Sequence, residues 1–250
     1  LRYRYRLAAD CVVPDPASRL QDGDVHGHSV VVGPDRYPWR HTGWRGRPWQ
    51  DSVIYEAHAG LCGGYAGLRR RLPEVARLGV TLLELMPIAD FPGPRNWGYD
   101  GVLPYAPDTA YGTPDELKAL IDAAHGLEMG VMLDVVYNHF GPDGNYLHRY
   151  AADFFDARAD TPWGAAIDYR QQAVQRYFID NALYWLRKYR FDGLRLDAVH
   201  AMGRTDWLAG LAREARAACP DRRQAPAALL ARALGEGYVY QGQAAPTRGG

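Results

Sequence analysis

From residue 52 onward the chain alternates short apolar segments with amphipathic segments, and this alternation limits its fold more than any other feature. The apolar segments are almost continuously hydrophobic, which is typical of strands buried on both faces of a parallel sheet. The amphipathic segments place apolar residues every three or four positions, which is typical of helices with one buried face. A parallel sheet covered by helices is therefore predicted, with strands over residues 53–58, 80–86, 131–137 and 192–197.

The predicted helices have recognisable ends. Gly79 follows the helix predicted over residues 68–78 and suits the left-handed position that ends many helices. Thr113 and Glu116 form a capping box, with Pro114 at the first helical position. Further helices are predicted over residues 174–189 and 207–218, and an alanine-rich helix is predicted over residues 227–234.

Glycine spacing and polar residues decide between two parallel-sheet folds. Gly60, Gly63 and Gly64 follow the first predicted strand but lack the G-x-G-x-x-G spacing of doubly wound, dinucleotide-binding sheets. Polar side chains instead follow the strands at their carboxyl ends, where the active sites of (β/α)8 barrels lie. We therefore predict an α/β fold that is a partial (β/α)8 TIM-type barrel, about the first four βα units. These polar residues are His58, Asp134, Asn138, His139, Arg195, Asp197 and His200.

Residues 1–50 have a different pattern. Arginine alternates with tyrosine and leucine over residues 2–7, and this two-residue period predicts a half-exposed strand. Proline and glycine then separate several short segments. We interpret residues 1–50 as the end of a small β domain with its linker, and residues 51–223 as the N-terminal half of the barrel. The linker tryptophans are expected to pack these parts together, with sugar binding as the alternative; they are Trp39, Trp44 and Trp49.

Composition argues against binding to nucleic acid or to an anionic membrane, because 29 basic residues balance 29 acidic ones. Three cysteines, Cys11, Cys62 and Cys219, offer neither metal-ligand spacing nor a disulfide framework. So few cysteines favour a reducing compartment. We therefore expect a cytoplasmic protein without a membrane span or a signal peptide.

The segment GLRLDAVH (residues 193–200) contains the first candidate site. Side chains alternate across a strand, so Arg195 and Asp197 share one face. A guanidinium beside a carboxylate favours the ionised form of that carboxylate, and an anion at Asp197 suits a nucleophile or a group that stabilises positive charge. A structural arginine–aspartate pair inside a barrel is the alternative.

The segment DVVYNH (residues 134–139) adds hydrogen-bond donors and acceptors at the end of the strand predicted over residues 131–137. Several fixed polar groups suit the neutral hydroxyls of a sugar better than a phosphate, although Asn138 and His139 also suit a loop-fixing hydrogen-bond pair. The long loop predicted over residues 91–111 is typical of a substrate site. Within it, Tyr99 is suited either to stack on a pyranose ring or to anchor the loop.

Together with NWGYDG (residues 96–101), these segments resemble the α-amylase clan of glycoside hydrolases. The likeness covers nearly all of residues 1–223 and is greatest to the malto-oligosyltrehalose trehalohydrolases, with glycogen branching enzymes as near neighbours. It implies that residues 1–50 hold the end of an N-terminal β-sandwich domain. The segments that carry it are VIYEAHAG (53–60), LELMPIADFPGPRNWGYDGVLPYAP (83–107), NHFGPDGNYL (138–147), TPWGAAIDY (161–169) and NALYWLRKYRFDGLRLDAVHA (181–201).

The resemblance implies a role for each candidate residue. Asp197 matches the nucleophile, and Arg195 matches the residue that orients it. The implied reaction is retaining hydrolysis of the α-1,4 bond next to the terminal trehalose of a maltooligosyl trehalose, which releases trehalose. Asn138 matches a position that binds calcium in many amylases, but no calcium ligand set is evident, so neither a metal nor a cofactor is predicted. The matches to substrate-binding positions are Tyr99, Asp134, His139 and His200.

The general acid of the clan, a glutamate that ends the fifth barrel strand, has no match here. Glu56, Glu84 and Glu236 are the remaining candidates, and we assign none of them. Residues 224–250 depart from the register of the family, which implies a missing block near Gln224. We expect this chain to have little or no activity, and to be poorly soluble or to dimerise through open strand edges. The alternatives are a branching or debranching enzyme of the same clan and a non-catalytic glucan-binding remnant.

Overall fold

The structure is a computed structural model that describes residues 1–33, 35–202, 204–218, 228–233 and 236–240, the last two ranges as backbone only. Its strands are β1 (Arg2–Tyr3), β2 (Tyr5–Ala8), β3 (Cys11–Val13), β4 (Gln21–Asp22), β5 (His28–Val30), β6 (Ile54–Ala57), β7 (Leu82–Leu85), β8 (Ala89–Asp90), β9 (Leu103–Pro107), β10 (Gly130–Val135), β11 (Phe155–Thr161), β12 (Gly164–Ile167), β13 (Gly193–Leu196), β14 (Ala228–Ala233) and β15 (Glu236–Tyr240). Its α-helices are α1 (Gly64–Arg77), α2 (Pro114–Gly126), α3 (Gln172–Lys188) and α4 (Leu208–Ala218).

A six-stranded sheet forms the centre of the molecule, in the order β15-β14-β13-β10-β7-β6. Within this sheet, five strands run parallel to one another: β6, β7, β10, β13 and β14. The sixth strand, β15, is antiparallel to β14. Helices α1, α2 and α3 lie in the connections between successive parallel strands, as in a (β/α)8 barrel. The four predicted strands and the partial barrel are therefore confirmed.

The helix predicted over residues 227–234 is wrong. The structure has strand β14 there, parallel to β13, with Leu229 level with Leu194. Without this partner, β13 would be an edge strand with a row of unpaired backbone N–H and C=O groups. Pairing these groups along the strand outweighs the local helix preference of alanine, which is only a weak determinant of structure.

The helix ends follow their local signals. The backbone N–H of Glu116 donates to Thr113 Oγ1 over 3.2 Å, and the N–H of Thr113 donates to Glu116 Oε2 over 2.8 Å, so the predicted capping box is confirmed. Gly79 follows α1 with φ +85°, the left-handed conformation predicted for it. Helix α1 begins earlier than predicted, at Gly64.

Two hairpins interrupt the connections at the carboxyl end of the sheet. Strands β8 and β9 pair antiparallel and shorten the long loop that was predicted after β7. Strands β11 and β12 form a second hairpin between β10 and α3, which was not predicted. Most of β11 is exposed, so no buried apolar period marks it in the sequence.

Two small antiparallel sheets, β1-β5-β4 and β2-β3, precede the barrel. In the linker that follows, Trp44 donates its Nε1–H to Asp192 over 2.8 Å and stacks on His125, with ring centroids 5.1 Å apart. Asp192 directly precedes β13, so this contact lies at the amino end of the sheet, away from Asp197. Trp44 thus packs the linker against the barrel, in agreement with the role expected of the linker tryptophans.

One apolar core runs through these parts, from Val25 in the turn between β4 and β5 to Ala215 in α4. Its continuity fixes the N-terminal segment against the barrel, because each large apolar side chain that is fully buried stabilises the fold by roughly 1.5–3 kcal/mol. The division into residues 1–50, 51–223 and 224–250 stays a prediction. Within the described ranges, no helix is both long and apolar enough to cross a bilayer.

Candidate active site

The candidate site is built at the carboxyl ends of β10 and β13. The parallel register places Asp134 of β10 level with Arg195 of β13. Because side chains alternate across a strand, Asp197 follows on the same face as Arg195. The two-residue spacing in the sequence therefore brings these three charged groups together, as predicted for the candidate site.

Arg195 joins the two carboxyl groups through a single atom. Its Nη1 donates to Asp134 Oδ2 over 2.5 Å and to Asp197 Oδ1 over 2.8 Å. The side chains of Asp134 and Arg195 are 0% and 3% exposed, whereas that of Asp197 is 20% exposed. Asp197 is therefore the acidic side chain of this trio that solvent, and hence a ligand, can reach.

Burial and charge act in opposite directions within this trio. Burial lowers the pKa of Arg195, but the carboxylates of Asp134 and Asp197 outweigh it and hold that pKa above its usual value, so Arg195 stays cationic. Burial raises the pKa of the Asp134 carboxyl, while the Arg195 guanidinium opposes this shift. A buried ion pair of this kind stabilises geometry more reliably than it adds net stability.

Tyr99 reaches the trio from the loop that follows β8. Its hydroxyl donates to Asp134 Oδ2 over 3.0 Å, and its ring is half-buried. Asn96 holds this loop: its Nδ2 donates to Asp100 over 2.7 Å, and its Oδ1 accepts from Gly98 N–H over 2.7 Å. Gly98 is required here, because its φ is +99° and a Cβ atom would lie 2.1 Å from the Pro87 carbonyl oxygen. The hydroxyl contact matches the loop-anchoring interpretation of Tyr99 and does not exclude stacking.

Asn138 and His139 follow β10 on the other side of Asp197. Asn138 Nδ2 donates to the Asp197 backbone carbonyl over 3.1 Å and lies 3.4 Å from Asp197 Oδ2. His139 Nδ1–H donates to Asn138 Oδ1. Burial lowers the pKa of His139, so its imidazole is neutral at pH 7. Asn138 therefore orients Asp197, and His139 in turn fixes the side-chain amide of Asn138.

Trp163 is a site residue that the sequence analysis missed. Its ring stacks on His139, with centroids 5.4 Å apart and planes at 24°, while 42% of the residue stays exposed. It lies in the turn between β11 and β12, where its backbone N–H donates to Thr161 Oγ1. The only signal for Trp163 in the sequence was its place in the family-like segment TPWGAAIDY. The hairpin that brings Trp163 to His139 was not predicted.

Two predicted polar residues lie outside this cluster of contacts. His200 is exposed in the short 3-10 helix Val199–Met202. His58 donates from Nε2 to the Asn96 carbonyl over 2.7 Å and accepts from Leu61 N–H over 3.1 Å, so it fastens the Tyr99 loop. The structure therefore brings together six residues: Tyr99, Asp134, Asn138, His139, Arg195 and Asp197.

A strained residue follows the candidate nucleophile. Ala198 has φ +41°, in the left-handed region that residues with a Cβ atom rarely adopt. Asp197 is held on its other side, because its backbone N–H donates to the Val135 carbonyl over 3.0 Å. Strain of this kind persists only where the surrounding structure enforces it, and it is frequent at active sites.

Carboxyl groups of Glu56, Glu84 and Asp134 also approach one another inside the partial barrel, each within 4.8 Å of the others. They are the group of described residues best arranged for a cation, but Arg195 already supplies positive charge to Asp134. Glu84 of β7 is level with Met132 of β10, which is level with Gly193 of β13. Glu84 therefore lies at the level of a residue four positions before Asp197. The two backbone positions are therefore about 13 Å apart along the strand direction, and we assign Glu84 no role as the missing acid.

Comparison with known proteins points to one enzyme family. The family model of the alpha-amylase catalytic domain matches residues 18–162. Two malto-oligosyltrehalose trehalohydrolases are similar over 80% of this chain: that of Deinococcus radiodurans is 47% identical over 203 residues, and that of Saccharolobus solfataricus is 42% identical over 207 residues. The crystal structure of an α-amylase candidate from Salmonella typhimurium is 49% identical, with a TM-score of 0.88, over 92% of this chain and 40% of that one.

The matches cover this chain far more fully than they cover the relatives. The aligned part is 34% of the Deinococcus protein and 36% of the Saccharolobus protein, so the chain spans about a third of the length of the curated relatives it matches. The family model nevertheless covers more than half of the 250 residues, including Tyr99, Asp134 and His139. The chain belongs to the alpha-amylase catalytic-domain family.

Proposed function

We propose that this chain carries the nucleophile side of a retaining glycoside hydrolase site, with Asp197 as the nucleophile. The observation that carries the proposal is the shared Arg195 Nη1 atom, which donates to both Asp134 and Asp197. It fixes Asp197 Oδ1, while Asn138 lies beside Oδ2. A carboxyl group held in one orientation is preorganised for attack on an anomeric carbon.

The groups around Asp197 suit a glucose unit. Tyr99 presents a half-buried ring beside Asp134, and Trp163 presents an exposed ring beside His139. The imidazole of His139 donates from Nδ1 to Asn138 and is neutral, so it adds an uncharged polar group beside Asp197. Aromatic faces and neutral polar groups bind a sugar ring without adding charge to the site. His200 stands in the proposal as a further substrate contact.

The proposed substrate is a maltooligosyl trehalose, and the support is the similarity to two malto-oligosyltrehalose trehalohydrolases. Asp197 attacks the anomeric carbon next to the terminal trehalose, and the bond to the departing oxygen breaks. A general acid, which we do not assign to any described residue, protonates that oxygen, and trehalose leaves. Water then hydrolyses the glycosyl ester. This reaction belongs to trehalose biosynthesis, and we propose a cytoplasmic location from the cysteine content.

The test uses α-maltosyl fluoride, because fluoride leaves without a proton from a general acid. We expect the wild-type chain to release fluoride and the Asp197→Asn variant to release none above the spontaneous rate. Asp206→Asn is the matched control, since Asp206 is an exposed aspartate that pairs with Arg204. A wild-type chain that binds maltotriose but releases no fluoride would contradict a nucleophilic Asp197.

Glucan binding without catalysis is the second candidate, because no general acid is assigned beside Asp197 among the described residues. Calorimetry with maltotriose, together with assays for fluoride and trehalose release, separates the two. Binding without either product identifies a glucan-binding protein. Trehalose released from maltosyl trehalose supports the hydrolase, and new α-1,6 branches in a glucan would point to a branching enzyme.

A further inference from the structure

The turn between β4 and β5 reaches from the N-terminal segment into the loops that form the candidate site. Two of its contacts hold the first site loop, residues 91–101, and Thr109, which follows strand β9. Thr109 Oγ1 donates to the Gly23 carbonyl over 2.8 Å, and the backbone N–H of Gly93 donates to Asp24 Oδ2 over 3.1 Å. The turn is thus fastened to the loop that carries Tyr99.

The same turn is fastened to the second site loop, residues 138–147. The hydroxyl of Tyr146 donates to His26 Nδ1 over 2.7 Å, and His26 Nε2–H donates to Asp143 Oδ2 over 3.3 Å. The rings of His26 and Tyr146 also meet edge to face, with centroids 5.9 Å apart. The turn therefore bridges both loops.

Val25 is the buried apolar residue of this turn. It is 0% exposed and belongs to the main apolar core, although it lies outside the barrel. Gly144 of the second loop packs so closely that a Cβ atom on it would lie 2.5 Å from Val25 Cγ2 and 3.0 Å from Val102 Cγ2. Gly144 of the second loop thus packs against both Val25 and Val102, so Val25 holds the second loop against the end of the first.

The two loops also touch each other next to the candidate site. The backbone N–H of Gly141 donates to the Gly101 carbonyl over 3.2 Å. A Cβ atom on Gly141 would lie 2.1 Å from the Asp100 carbonyl oxygen, so the backbones are in direct contact. The loop that carries Tyr99 and the loop that carries His139 are therefore in contact at Gly141, three residues before Gly144.

We propose that Val25 is a positioning residue for the glucan site: by packing against Gly144, it holds the second loop against the first and so maintains the distance between Tyr99 and His139. This inference rests on the proposed function, since the spacing matters only if these residues grip a sugar. It assigns the N-terminal segment a role in substrate binding without any contact between Val25 and the substrate.

The test compares three variants of the full chain with wild type. Val25→Ala removes the methyl groups that pack against Gly144, whereas Val25→Thr keeps the shape of the side chain but buries a hydroxyl group, which lowers thermal stability. Val13→Ala is the matched control, because Val13 is equally buried in the N-terminal segment but lies in β3, paired with β2. The measurements are maltotriose affinity by calorimetry, hydrogen exchange of the Gly141 amide by NMR, and thermal unfolding.

We expect Val25→Ala to weaken maltotriose binding several-fold and to speed exchange at Gly141, and Val25→Thr to restore both. Val13→Ala should lower thermal stability similarly while leaving both readouts near wild type. Should Val25→Ala not fold, Gly144→Ala disrupts the same contact from the side of the second loop, with the same expected change at Gly141. Unchanged binding and exchange in Val25→Ala, or equal effects from Val13→Ala, would overturn the proposal. A wild-type chain that binds no maltotriose would instead overturn the proposed function, and Gly141 exchange alone would then decide whether Val25 sets the loop contact.

Discussion

The guanidinium of Arg195 and the carboxyl of Asp134 are paired in a site that solvent barely reaches, with side chains 3% and 0% exposed. The same Arg195 nitrogen holds Asp197 at 2.8 Å. The pair therefore links the stability of the barrel to the orientation of the candidate nucleophile, and the two effects can be separated by substitution.

Arg195→Met should destabilise the chain by about 3–5 kcal/mol, because it leaves the Asp134 charge buried without its partner. The double variant Arg195→Met/Asp134→Asn should recover much of this loss, because the carboxyl group that then remains without Arg195 is that of Asp197, which solvent reaches. Urea unfolding measures both. Arg204→Met, which removes an exposed ion pair with Asp206, is the control and should change stability little. If Arg195→Met and Arg204→Met lower the free energy of unfolding equally, the buried pair of Arg195 and Asp134 is not structurally important.

A second prediction concerns pH and the buried carboxyl of Asp90. Burial, reinforced by the charges of Asp108 and Asp24, raises the pKa of Asp90 to about 8, against about 3.9 for an unfolded aspartate. The folded chain therefore holds this proton more tightly than the unfolded chain does. Its contribution to stability is complete below about pH 4 and is lost as pH rises through about 8.

Asp90→Asn should remove this pH dependence. For one proton, the free energy of unfolding of the wild type falls by up to about 1.4 kcal/mol per pH unit across this window, and the variant should lack that component. Chemical denaturation at pH 5, 6.5 and 8 measures the slope. Asp10→Asn, at an exposed position in the turn between β2 and β3, serves as the control. The same slope in wild type and Asp90→Asn would refute a proton on Asp90.

A third prediction separates steric contact from backbone strain in the Tyr99 loop. Gly98 and Gly93 both have positive φ, +99° and +79°, but a Cβ atom meets the Pro87 carbonyl at 2.1 Å only at Gly98, and nothing within 4 Å at Gly93. Both alanine variants bear a conformational cost of about 1–2 kcal/mol. Only Gly98→Ala must also move the loop, so we expect it alone to weaken maltotriose binding, as measured by calorimetry. Equal affinities for the two variants would count against this geometry.

A fourth prediction concerns Trp163. Trp163→Ala removes the ring that stacks on His139 and should weaken maltotriose binding several-fold. Stability should change little, because the residue is 42% exposed. Leu127→Ala, at an apolar residue of similar exposure beyond the end of α2, is the control for general surface effects. If both variants bind maltotriose like wild type, Trp163 has no part in the site.

The charged trio could be predicted from the sequence, because it depends on local rules. Arg195 and Asp197 share a face through the two-residue period of a strand, and parallel strands bring their carboxyl ends to one edge of the sheet, so Asp134 joins them. The ends of α1 and α2 were likewise readable from Gly79 and from the Thr113 capping box.

The features that could not be predicted depend on contacts between segments far apart in sequence. Trp163 reaches His139 only because an exposed hairpin folds back over the site, and exposed strands carry no apolar period. Strand β14 replaces a predicted helix because the edge of β13 needs a partner, a demand that no local pattern reveals. The contact of Val25 with Gly144 was equally hidden, since neither residue is unusual within its own segment.

The most direct test of the central claim is mass spectrometry of the chain after reaction with α-maltosyl fluoride. The reaction is quenched with acid soon after mixing, so that the glycosyl ester is trapped before water hydrolyses it. We predict a maltosyl group on the peptide that contains Asp197, and none in Asp197→Asn. A maltosyl group on a different residue, or an unmodified chain that nevertheless binds maltotriose, would contradict the assignment of Asp197 as the nucleophile.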